Sequence, residues 1–244
     1  MMGFLAIYKR ELKSYFATPV AYVFIIIFLI LTGVFTFYIG GFYARGQADL
    51  EPFFQFHPWL YMFLIPAISM RLWSEERKAG TLELLLTLPV PLGIAVFAKF
   101  LAAWTFAALA LAGTFPMWLT VNYLGNPDNT VIIVSYFGSL LMAGGFLAIG
   151  SCISALTKNQ VIAFVISFVI CLGFNLSGFP IVIDLFSGWA PQVVVEVISS
   201  FSFLTHFNSI LRGVIDFRDI VYFVTLIAFW LYGNILAIEL TKGT

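Results

Sequence analysis

Six stretches of this chain contain no Asp, Glu, Lys or Arg, and each is 19 to 27 residues long: 20–42, 52–70, 100–124, 131–157, 159–183 and 220–238. A helix crossing the hydrocarbon core of a bilayer needs about 20 apolar residues, and its backbone polar groups must be satisfied within the segment itself. Six such runs in 244 residues predict an all-α membrane protein with six transmembrane helices in one domain spanning 1–244. The remaining segments are too small for a soluble enzyme domain. Only 10% of the residues are charged, against roughly 25% in a soluble domain. A mean hydropathy of +1.02 likewise makes lipid the solvent for most of the chain. The first apolar run is too long for a signal-peptide core and lacks a following A-x-A site, so it is expected to stay as a span.

Between the fifth and sixth runs lies a semi-apolar stretch, 185–219, broken by Gly188, Pro191, Glu196, His206, Arg212 and Asp216. Its longest uncharged piece, 197–211, has 15 residues, which is short for a span. It reads as a short re-entrant or interfacial helical segment before the last span. A seventh span is the alternative, and would put the C-terminus outside.

Lys and Arg concentrate in the cytoplasmic loops of membrane proteins. With the N-terminus inside, the cytoplasmic side holds Lys9, Arg10, Lys13, Arg71, Arg77, Lys78, Lys99, Lys158 and Lys242, and the outer side holds Arg45, Arg212 and Arg218. Nine against three predicts a multi-pass protein of the bacterial inner membrane with both termini cytoplasmic. Before the first span, Phe4, Tyr8, Leu12 and Phe16 recur every four positions while Lys9, Arg10, Glu11 and Lys13 fall elsewhere. That pattern predicts an N-terminal amphipathic interfacial helix over 1–19, its cations toward anionic headgroups.

Several function classes drop out. Zero formal net charge gives no reason to expect nucleic-acid binding. Cys152 and Cys171 lie in apolar runs without metal or redox spacing and read as core residues. The six runs contain no charged group, which argues against ion-coupled transport. No G-x-x-x-x-G-K-[ST], H-E-x-x-H or G-x-S-x-G occurs, so no nucleotide, metal or cofactor is expected on this chain. The two histidines, His57 and His206, read as loop anchors near the outer face. Gly144, Gly145 and Gly150 permit close helix approach in the fourth span.

One loop is unlike the rest. After the second span come Arg71, Glu75, Glu76, Arg77, Lys78, Gly80, Thr81 and Glu83, then Pro89 and Pro91. Gly80 can end one short helix and Thr81 can cap another, with Glu83 in its first turn, where the helix dipole favours an anion. The loop is therefore predicted to be a charged helical elbow.

The run from Glu76 to Glu83 resembles the E-x-x-x-G-T-x-E signature that follows the second span in ABC-2 type transporter permeases. Tyr8 to Leu12 resembles that family's connecting helix. Residues 154–160, with Lys158, Asn159 and Gln160, resemble its turn between the fourth and fifth spans. His206, Phe207, Arg212, Asp216 and the Arg218-Asp219-Ile220 triplet resemble the segment before the last span in the gliding-motility-associated branch. The resemblance implies a permease subunit that dimerises with a second copy or a paralogue. It would be driven by a separate P-loop ATPase subunit that carries the ATP and Mg, with a periplasmic or membrane auxiliary protein as a further partner. It also implies residue roles: Glu75, Glu76, Arg77, Gly80, Thr81 and Glu83 couple to the ATPase, supported by Lys9, Arg10 and Glu11. His206, Phe207, Arg212 and Asp216 belong to an outer gate, and Asn175 is a pathway candidate. The alternative is a non-transporting scaffold or regulatory subunit of an envelope complex.

Overall fold

The computed structural model describes residues 2–87, 89–188, 191–214 and 216–240. Lys242, counted above among the cytoplasmic cations, lies outside them, as does Ile215 in the segment before the last span. Every regular element among the described residues is helical. α1 (Met2–Ala17) stops at Thr18, which is extended at φ −108° and ψ 139°, because a residue preceding proline is pushed out of the helical region. Pro19 then opens α2 (Pro19–Val34), which runs on through a π-helical turn at Phe35–Ile39.

α3 (Glu51–Phe54) and α4 (His57–Ser69) follow, then the short pair α5 (Arg71–Ala79) and α6 (Thr81–Thr87). α7 (Leu92–Ala112) is followed by α8 (Phe115–Leu124), which carries a proline in its first turn, and then by α9 (Asn129–Leu156) and α10 (Gln160–Leu176). The chain ends in α11 (Pro180–Ser187), α12 (Gln192–Ser200), α13 (Phe203–Leu211) and α14 (Phe217–Leu240). Among the described residues four stretches are long and apolar enough to cross a bilayer, Pro19–Ile39, Leu92–Leu124, Asn129–Leu156 and Phe217–Leu240; two bent pairs, α10 with α11 and α12 with α13, raise the count to as many as six.

α9 is the hub, with α4, α5, α7, α10, α13 and α14 all packed on it. Its 28 residues span roughly 42 Å at 1.5 Å per residue, so its contacts mark depth through the bundle. At one end, Asp128 and Val131 share a cavity wall with Asp49, Glu51 and Arg212. At the other, Ala155 accepts from Arg77, and Ser154 bonds the backbone at Met70 and Trp73. α4 therefore runs from the Asp128 end to the Arg77 end, although its 13 helical residues cover only about 20 Å. α10 begins beside the Arg77 end and reaches the start of α4, where Asn175 bonds Pro58.

Small side chains allow these approaches. A Cβ on Gly150 would stand 1.9 Å from Ser69 Oγ, and one on Gly145 would stand 2.7 Å from the Phe203 ring. α4 and α9 could not come this close with a larger residue at position 150.

Three boundaries differ from the apolar runs. The run 159–183 does not make one straight helix: α10 ends at Leu176, and the chain turns by 81° into α11. Phe179 is extended ahead of Pro180, by the same constraint that ends α1. The third span starts at Leu92 rather than residue 100, because Pro91 sets the helix start and Lys99 lies two turns inside. The run 52–70 divides into α3 and α4.

α13 dips inward, as a re-entrant element does. Phe203 at its start stacks on Phe146, in the middle of α9, at 4.3 Å between centroids. Leu211 at its end lines the cavity beside Val131. Phe203, Phe207 and Ile210, at helical spacing, are its buried face.

Candidate functional site

The charged elbow and the N-terminal helix meet at the Arg77 end of the bundle, around a residue that the uncharged runs left out. Lys99 is only 2% exposed. Its ammonium has three donors and finds three acceptors: Glu76 Oε1 at 3.0 Å, Glu11 Oε1 at 3.3 Å and the Leu72 carbonyl at 3.0 Å. The Trp73 ring lies 4.9 Å from the same ammonium, a cation–π distance. Arg10 closes the group, with Nη2 2.7 Å from Glu11 and 3.2 Å from Glu76. Two cations and two carboxylates thus balance on α1, α5 and α7. Burial works against the charge on Arg10, but Glu11 and Glu76 outweigh it and hold its pKa above the ordinary arginine value.

The expectation that every span is free of charge is therefore corrected. A lysine is buried inside α7, and Asp219 is buried at the start of α14, which also carries Arg218 and Glu239 near its ends. Lys99 and Asp219 border the uncharged runs, which were bounded by the charges themselves.

α1 uses its stripe for packing on α7. Phe4 stacks on Phe97 at 6.1 Å, Tyr15 stacks on Phe106 at 5.1 Å, and Tyr8 donates to Thr105 at 3.0 Å. Lys9 remains exposed. α5 is also fixed to α9. The helix breaks at Met70, and Ser154 bridges the break: its hydroxyl donates to the Met70 carbonyl at 2.8 Å and accepts from the amides of Trp73 and Ser74, both at 3.1 Å. The buried indole of Trp73 donates to Ser151, which also accepts from Asn234 on α14. Arg77 donates to the Ala155 carbonyl at 2.5 Å, a cation at the C-terminal end of α9 where the helix dipole favours one.

The other elbow residues face outward. Glu75 pairs with Arg71 at 2.9 Å, one turn back on α5. Gly80, at φ 70° and ψ 9°, caps α5 in the left-handed conformation that only glycine adopts without strain. Thr81 and Glu83 are exposed on α6. Beside them Leu84 is 67% exposed, while Leu82 and Leu85 are buried. A cleft of about 350 Å³ lies between α1 and the elbow, walled by Arg10, Glu11, Arg71, Glu75, Glu76 and Thr81 among others.

At the opposite end the residues before the last span do not form one cluster. His206 Nδ1 lies 2.6 Å from Asp219 and Nε2 lies 2.9 Å from the Ser200 carbonyl, with the ring stacked on Tyr222 at 3.9 Å. Phe207 is fully buried, Arg212 lines the cavity near Asp128, and Asp216 accepts from the Arg218 amide ahead of α14. His57 is no interfacial anchor: it is wholly buried under Phe53 and Phe54, with Nδ1 2.8 Å from Ser139. Asn175 donates to the Pro58 carbonyl at 3.1 Å, a helix–helix bond between α10 and α4. Among the described residues no group of three or more His, Cys, Asp or Glu side chains could hold a metal ion.

Long apolar helices around a buried hub, with a charged elbow at one end, define a multi-pass α-helical membrane protein. Residues 12–174, two-thirds of the chain, match the family described as ABC-2 family transporter protein. The chain belongs to that family, whose members are membrane components without an ATPase of their own, and membership implies an ATPase partner and a permease partner. No curated protein matches the chain.

Proposed function

We propose that this chain is the transmembrane permease subunit of an ATP-driven exporter. It lies in the bacterial inner membrane with both termini cytoplasmic, and it pairs with a second copy or a paralogue to form the translocation path. Cytoplasmic P-loop ATPase subunits dock on α5 and α6 and carry the ATP and Mg themselves. The chain's assignment to the gliding-motility-associated branch rests on the resemblance of the segment before the last span.

The observation that carries this reading is the mounting of the elbow. α5 is tied to α1 and α7 through Lys99 and to α9 through Ser154, while α6 turns Thr81, Glu83 and Leu84 outward. A push on α6 is therefore delivered to three helices at once. Ion pairs shielded from solvent hold their geometry better than exposed ones, which suits a rigid lever. His206 and Asp219 secure the re-entrant α13 to α14 at the outer end, and Phe207, Arg212 and Asp216 belong with them to an outer gate.

Affinity purification of the full chain from native membranes in mild detergent tests the reading. A P-loop ATPase recovered at about one copy per permease supports it. Recovery with envelope proteins alone sinks it in favour of a scaffold subunit.

A further inference from the structure

At the end of the bundle opposite Lys99, the beginnings of α3 and α9 and the end of α13 border a half-open cavity of about 360 Å³. Small-molecule sites occupy roughly 300–1,000 Å³. Its lining includes the apolar Phe54, Val131 and Leu211 and the charged Asp49, Glu51, Asp128 and Arg212.

The polar groups are unequally engaged. Arg45 pairs with Glu51 at 2.6 Å and with Asp49 at 3.5 Å. Asp128 Oδ1 accepts from the amides of Thr130 and Val131, capping α9. The Arg212 guanidinium has no ion pair or side-chain hydrogen bond among the described residues, and it is the only cation of the wall. Ser135 points to a ligand independently. It is 1% exposed and lines the cavity, yet its hydroxyl has no hydrogen-bond partner among the described residues. Thr32, Thr105 and Thr225 each return their hydroxyls to the carbonyl four residues back; Ser135 does not.

An occupant that satisfies this wall needs an anionic group for Arg212, an ammonium for the free carboxylate oxygens, and an apolar portion. We propose that the cavity binds a zwitterionic aminophospholipid, with its phosphate on Arg212 and its ammonium toward Asp128 and Glu51. The glycerol and upper acyl chain lie along Phe54, Val131 and Leu211. The cavity sits where α9 passes from Asp128 into its apolar run, the level at which a headgroup meets a spanning helix. A soluble phosphoester shares the headgroup chemistry but would leave the apolar wall bare. This assignment stands apart from the export reading and does not depend on it.

The test uses the full-length purified chain in detergent, titrated with dihexanoyl phosphatidylethanolamine, phosphatidylglycerol, phosphatidylcholine and O-phosphoethanolamine, with bound ligand read by native mass spectrometry. Phosphatidylethanolamine is expected to bind at least tenfold more tightly than the other three. Arg212→Gln and Ser135→Leu should each weaken its binding at least tenfold. Ser135→Leu fills the cavity with an apolar side chain on an apolar helix, so it decides the matter should Arg212→Gln fail to fold. Equal binding of the three lipids, or wild-type binding in Ser135→Leu, overturns the proposal. O-phosphoethanolamine binding as tightly as the lipid overturns the lipid as the source.

Discussion

The ammonium of Lys99 lies 3.0 Å from the Glu76 carboxylate, joining the third spanning helix to the elbow 23 residues earlier in the chain. Removing one partner of a buried ion pair costs about 3–5 kcal/mol, because the charge left behind has lost its compensation. Lys99→Met should therefore lower the unfolding free energy by that amount, since Glu11 and Glu76 would face each other with only Arg10 to offset them. Denaturation of the purified variant in detergent checks this; an unchanged midpoint would falsify the central role given to Lys99.

The four charges are not equivalent. The Arg10 side chain is 54% exposed, against 2% for Lys99. Solvent-exposed ion pairs contribute roughly 0.2–1 kcal/mol in double-mutant cycles. The Arg10–Glu76 coupling should fall in that range, and the Lys99–Glu76 coupling should exceed it severalfold. Two cycles sharing Glu76→Gln measure both.

Gly150 should tolerate no side chain while Ser69 faces it. Gly150→Ala places a methyl group 1.9 Å from Ser69 Oγ and 2.7 Å from its Cβ, and overpacking of this kind typically costs 1–3 kcal/mol. Ser69→Gly removes both atoms and should recover most of the loss in the double variant. Failure of that rescue would mean that the backbones of α4 and α9, and not the serine, set the limit.

Ser154→Ala removes the hydroxyl that bridges the break at Met70. The amides of Trp73 and Ser74 lose their side-chain acceptor, and leaving a buried donor unmet costs about 1–3 kcal/mol. Backbone hydrogen exchange at the start of α5 should rise in this variant, with α14 unaffected.

Glu83→Arg addresses the elbow as a docking surface. Glu83 is exposed and makes no ion pair among the described residues, and surface substitutions of that kind usually change stability by less than about 0.5 kcal/mol. Unfolding should match wild type, while permease-stimulated ATPase activity should drop at least tenfold. Full stimulation would remove α6 from the docking surface.

The membrane character of the chain, its helical class and the elbow were legible without coordinates because each rests on local chemistry. An apolar run long enough to cross a bilayer has only intrahelical partners for its backbone, so length and composition decide the outcome. Gly80 ends α5 because of its own backbone freedom, whereas the turn at Pro180 after α10 did not show in the apolar run, which continues across it to residue 183. Lys99 and Asp219 were hidden by the same reasoning: a charge marks the edge of an apolar run, although a buried polar partner lets it enter the helix. Whether such a partner exists depends on Glu11 and Glu76 for Lys99 and on His206 for Asp219, residues distant in the chain that meet only when the bundle packs. Burial of His57 against Ser139 and the free hydroxyl of Ser135 have the same origin. The sequence by itself determined that the chain is an α-helical membrane protein and that an elbow follows the second apolar run; the tertiary structure decided where the long runs break and which polar groups inside them are paired, because pairing is a property of two residues and only folding makes them neighbours.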